Sequence, residues 1–149
     1  MVGVRSGFLW RLGVLMPLVA LAVAGLAVGG AVAAKKRRAA PDLVVVSARA
    51  AFADGSVRVV VVVRSAGNAR AAASSAGVDW KPAAGGTRTR LGSFAVRALG
   101  AGKRQSVTAQ LPVPAGARGA FAVRVCADPA GRVRERSDAN NCKAAGQVA

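Results

Sequence analysis

The chain has 149 residues, 22 Lys and Arg against 6 Asp and Glu, a formal net charge of +16, and neither His nor Tyr. Without His there is no His-dependent triad and no imidazole metal ligand, and two Cys fall short of the four Cys or His ligands of a structural zinc site. No Ser stands in a Gly-x-Ser-x-Gly elbow, Asp54 and Asp79 read as isolated acids, and no nucleophile has a base partner in view. The composition therefore argues against an enzyme and asks for no cofactor.

Arg5 and Arg11 make a short basic start, and nothing from Leu12 to Ala34 is charged. Ala31-Val32-Ala33 is an A-x-A cleavage signal, so residues 1–34 read as a signal peptide cut near Ala33 or Ala34, with the rest secreted. The rival is a retained N-terminal hydrophobic helix, with residues 12–34 long enough to anchor in a membrane. Against it stand the Ala- and Gly-rich composition and the Lys35-Lys36-Arg37-Arg38 cluster, which would have to be translocated against the positive-inside bias. Arg outnumbers Lys 17 to 5 beside abundant Ala, Val and Gly, as GC-rich coding favours, so part of the charge is compositional.

Residues 35–41 form a basic linker that Pro41 ends. Short strands divided by turn clusters follow. The expected strands are 43–49, 57–65, 74–81, 88–96, 106–113, 119–127 and a short last one at Arg132–Arg136. Turns fall at Ala53-Asp54-Gly55, Ala66-Gly67-Asn68, 83–86, 99–102 and Asp128-Pro129-Ala130-Gly131. The fold class is all-β, a seven-stranded sandwich. A flexible tail is expected over 144–149.

Period two assigns the faces. Val57, Val59, Val61 and Val63 should face the core, with Arg58 and Arg64 on the other side. Val107, Ala109, Leu111 and Val113 should point in, as should Phe121, Val123 and Val125, with Arg124 out. Trp80 shares parity with Val78 and reads as a large core residue. Cys126 and Cys142 are the only cysteines, and an oxidising compartment makes a disulfide between them the default. Cys126 shares parity with Arg124, so the bond should clip the C-terminal segment to the outer side of its strand.

Several segments resemble one family in order and spacing. They are Pro41-Asp42-Leu43-Val44-Val45, Val61–Ala69 with Gly67-Asn68, the 99–102 turn, Phe121–Asp128, and Val133–Cys142 with its E-x-x-D-x-N-N-C close. Segment 42–143 resembles a CARDB domain, the cell adhesion related domain found in bacteria. The resemblance implies an immunoglobulin-like seven-stranded β-sandwich on an exported protein, acting as a non-catalytic binding module.

Two candidate sites remain. Asp128, Glu135, Asp138 and Asn140, with Asn141, gather oxygens that could hold calcium, although the spacing is not that of an EF-hand. The alternative is a turn organised by side-chain hydrogen bonds, with Glu135 paired to a flanking arginine. Lys35, Lys36, Arg37 and Arg38 are candidate polyanion contacts, while Arg88, Arg90, Arg97, Lys103 and Arg104 read as scattered. With few exposed aromatics, specific nucleic-acid recognition is not expected. The expected partner is an extracellular protein or glycan. Alternatives are a cationic protein held on anionic cell-envelope polymer, and an accessory or inhibitor domain of an exported enzyme.

Overall fold

The computed structural model describes residues 38–149. The expected signal or anchor segment, and Lys35, Lys36 and Arg37, lie outside the described residues. Seven strands follow in order: β1 Leu43–Ala53, β2 Ser56–Ser65, β3 Ser74–Pro82, β4 Thr89–Val96, β5 Arg104–Pro112, β6 Phe121–Ala127 and β7 Cys142–Val148. They form two sheets, β1-β2-β5 and β4-β3-β6-β7, with every neighbouring pair antiparallel.

The core lies between the inner faces. Val57, Val59, Val61 and Val63 are each at most 1% exposed, as the alternation in β2 requires. Opposite them Val78, Val123 and Val125 are equally buried, so β-branched side chains interdigitate across the sandwich. Leu111 and Phe121 are buried, and Val107, Ala109 and Val113 half-buried. Trp80 is half-buried at the core's margin, edge-on to Phe121 with ring centroids 5.0 Å apart.

Two expectations are corrected. Residues 132–136 are not a strand. Their alternation imitates one, but the Val133 N–H donates to Asp128 Oδ2 at 2.7 Å and the Arg136 N–H to the Pro41 carbonyl at 2.9 Å, so neither group is free for a sheet ladder. The seventh strand is instead β7, which takes in most of the expected tail. Ala145 and Val148 are buried, and β7 pairs with β6 along its length apart from an irregularity opposite Val123/Arg124. The Ala- and Gly-rich sequence has little intrinsic strand preference; its pairing with β6 decides.

Candidate functional site

Asp79 sits on β3 with Arg90 directly opposite on β4 and Arg124 directly opposite on β6. Its parity points it to the outer face of the four-stranded sheet, yet it is 7% exposed because the two guanidinium groups cover it. Arg90 Nε donates to Asp79 Oδ1 at 2.6 Å, and Arg124 Nη2 to Oδ2 at 3.5 Å. Gly77, two residues before, explains the reach of Arg90. A Cβ there would collide with the Arg90 guanidinium, so only glycine leaves the track that guanidinium crosses. Asp79 is therefore not the isolated acid expected. The available signal was parity, since Asp79 and Arg124 both face away from the core on strands that proved adjacent.

The next row holds Cys126 and Cys142, directly opposite each other on β6 and β7 and joined in a disulfide. As parity implies, the bond lies within one sheet and does not cross the core. These two rows and the β6–β7 loop line an open cavity of about 440 Å³, bordered among others by Arg90, Arg124, Asp128, Asp138 and Asn141. Three lining residues each keep one buried polar atom without a hydrogen-bond partner: Arg124 Nε, Asp128 Oδ1 and Asn141 Oδ1. One is a donor and two are acceptors. Leaving such groups unmet costs roughly 1–3 kcal/mol each.

The segments that carry the family resemblance are joined by hydrogen bonds between residues far apart in the chain. Glu135 accepts the Leu43 N–H at Oε2 and Asn141 Nδ2 at Oε1, the latter at 3.0 Å. Asn140 Nδ2 donates to both Asp42 oxygens at 3.1 and 3.3 Å. Asn68 Oδ1 accepts the Ala40 N–H at 3.0 Å and Arg136 Nη2 at 3.3 Å. Gly67 permits this latch, because a Cβ there would strike the backbone from Ala40 to Asp42. Glu135 thus bonds to a backbone N–H and an amide, not to a flanking arginine. Burial pushes its carboxyl above the usual value, and nearby Asp128 and Asp138 add to this against the two hydrogen bonds.

Of the calcium candidates, Asp128 and Asp138 line the cavity, while Glu135 and Asn140 serve the latch. Among the described residues no group of three or more Cys, Asp or Glu is placed to hold a metal ion. Asp138 and Asn140 are exposed. Of the basic block, Arg38 is described and is exposed.

The other sheet gathers arginines that lie far apart in the sequence. None of β1, β2 and β5 contains an acid, and their four arginines, Arg49, Arg58, Arg64 and Arg104, all take the outward parity.

Two antiparallel sheets of three and four strands, packed face to face, define a seven-stranded β-sandwich. The chain belongs to the CARDB family, whose model matches residues 40–145. A CARDB domain of a Pyrococcus furiosus protein, solved in complex with di-metal ions, matches with TM-score 0.57 and 18% identity, covering 74% of this chain and 93% of that one. A domain named for a cell surface protein of Methanosarcina acetivorans matches with TM-score 0.57 and 19% identity, covering 73% and 90%. β-Glucosidase 3B from Thermotoga neapolitana, in complex with α-D-glucose, matches with TM-score 0.50 and 18% identity, covering 72% of this chain but 16% of that one. At such identities the likeness is one of fold. Among curated proteins no sequence matches the chain.

Proposed function

We propose that this chain is an exported, non-catalytic binding module that takes a glycan in the cavity on the outer face of its four-stranded sheet. Its export signal is residues 1–34, cut near Ala33 or Ala34. The observation that carries the reading is the mixed polar lining of the cavity, which sets the Arg124 donor group beside the acceptors of Asp128, Asp138 and Asn141. A hydroxyl both donates and accepts, so a polyhydroxylated ligand meets the donor and the acceptors together. Asp79 and the disulfide fix the walls in advance, which lowers the ordering cost of binding.

The test is binding of the full chain to oligosaccharide fragments of its own cell envelope, measured by calorimetry at low and high salt. Binding through the cavity is expected to persist at high salt, where attraction between exposed charges is screened. It is expected to fall in Arg124→Gln and Asn141→Ser. Binding unaffected by either variant would overturn the reading. Retention of an envelope protein, with no oligosaccharide bound, would replace the glycan with a protein ligand.

A further inference from the structure

We infer that the outer face of the β1-β2-β5 sheet is a docking surface for an extended anionic polysaccharide. The inference concerns a different face from the cavity and stands without it.

The register lays the face out in rows. Arg64 lies directly opposite Arg104, with Val44 on the other side of Arg64. The following rows are Ser47–Val62–Ser106, Arg49–Val60–Thr108 and Ala51–Arg58–Gln110. Two arginine clusters therefore sit at the two ends of a strip. Arg58 and Arg64 are six residues apart on β2, which places the clusters roughly 20 Å apart. The strip between them carries Ser, Thr and Val side chains, with Val60 39% exposed.

Two observations point to an anionic partner. Like charges directly opposite on neighbouring strands repel. Arg64 and Arg104 nevertheless occupy such a pair, with no acid on any of the three strands to separate them. Arg64 Nε is buried without a hydrogen-bond partner, so part of its donor fork is unmet. An anionic oxygen group seated between the two guanidinium groups relieves their repulsion, since Arg binds carboxylates and phosphates through paired donors.

The strip between the clusters favours a polysaccharide over a nucleic acid. Its hydroxyls suit sugar hydroxyls and its valines suit the apolar faces of sugar rings. No aromatic residue takes the outward parity for bases to stack on. Phe52, 49% exposed, belongs to the opposite parity at the hairpin end.

The experiment measures binding of the full chain to alginate oligosaccharides, a polyuronate, with neutral dextran and duplex DNA as comparators. The variants are Arg64→Ser/Arg104→Ser and Arg49→Ser/Arg58→Ser. The control is Arg132→Ser/Arg134→Ser, which removes the same charge from two exposed residues elsewhere. The expected result is binding to alginate and not to dextran. Each face variant should weaken it roughly tenfold or more, the scale of a lost charge-assisted hydrogen bond, with far less loss in the control. Thermal melting of each variant separates loss of the face from loss of the fold, and two independent face variants guard against either misfolding. Equal losses in face and control variants would overturn the inference in favour of net charge alone. Absence of alginate binding would overturn it outright. Tighter binding to duplex DNA would overturn the polysaccharide assignment.

Discussion

The two outer faces of the sandwich handle arginine in opposite ways. On the four-stranded sheet, Arg90 and Arg124 flank Asp79 in a single row, and the two half-exposed guanidinium groups cover its carboxylate. On the three-stranded sheet, Arg64 faces Arg104 with nothing of opposite sign on any strand. The first face carries a partly compensated charge cluster beside a cavity. The second is left open as a flat, positive strip. A uniform compositional bias would treat both alike, so strand register, not residue count, decides where the charge can act.

Substitutions can break this comparison from either side. The largest effect is expected from Cys126→Ser/Cys142→Ser. The disulfide closes a segment with a sequence separation of 16 and pins β7 to β6. Its loss should cost about 3 kcal/mol in the chain-entropy account, read as a lower midpoint in urea unfolding. Next comes Asp79→Ala, which leaves two arginines facing each other across β3. Breaking a buried pair can cost more, but both arginine side chains are over 40% exposed and water takes up part of their charge. A loss of roughly 2 kcal/mol is expected in the same measurement. Gly77→Ala should cost about 1 kcal/mol by pushing Arg90 off its track, and should loosen Asp79 as well. The smallest effect should come from Arg104→Ser. It removes one member of a like-charged pair, so stability should stay within about 0.5 kcal/mol of the parent or rise. A strong destabilisation by Arg104→Ser would mean that the open face is structural.

The latch adds a dependence on pH. Burial raises the Glu135 carboxyl above its ordinary value of 4.5, so the folded chain holds that proton more tightly than the unfolded chain. The contribution is fully present below the ordinary value and is lost as pH rises through the folded one. Glu135→Gln should therefore flatten the fall in stability over that interval, checked by urea midpoints at a series of pH values. An unchanged slope would assign the dependence to another group.

Much of the sandwich was legible because valine alternation in β2 and β6 fixes both strand and face. The disulfide's outward position followed from the same parity. What escaped depended on partners distant in sequence. Asp79 meets Arg90 and Arg124 across 11 and 45 residues, and neither contact has a local signature. Residues 132–136 alternate like a strand but spend backbone donors on Asp128 and Pro41. β7 looks like a tail because Ala and Gly carry little strand signal, and pairing with β6 supplies the rest. Arg58 and Arg64 were assigned outward correctly, yet Arg49 and Arg104 joined them only once the register placed three strands side by side. The E-x-x-D-x-N-N-C close has no local signature of its distant partners: Glu135 accepts from Leu43 and Asn140 donates to Asp42, far back in the chain, while Asn141 donates to Glu135.

The most direct test of two faces with two roles is binding of the full chain to its own cell-envelope preparation, titrated from low to high salt. The account predicts two components. One is salt-sensitive and lost in Arg64→Ser/Arg104→Ser; the other is salt-resistant and lost in Arg124→Gln/Asn141→Ser. A single component, abolished equally by either pair of substitutions or by neither, would contradict it.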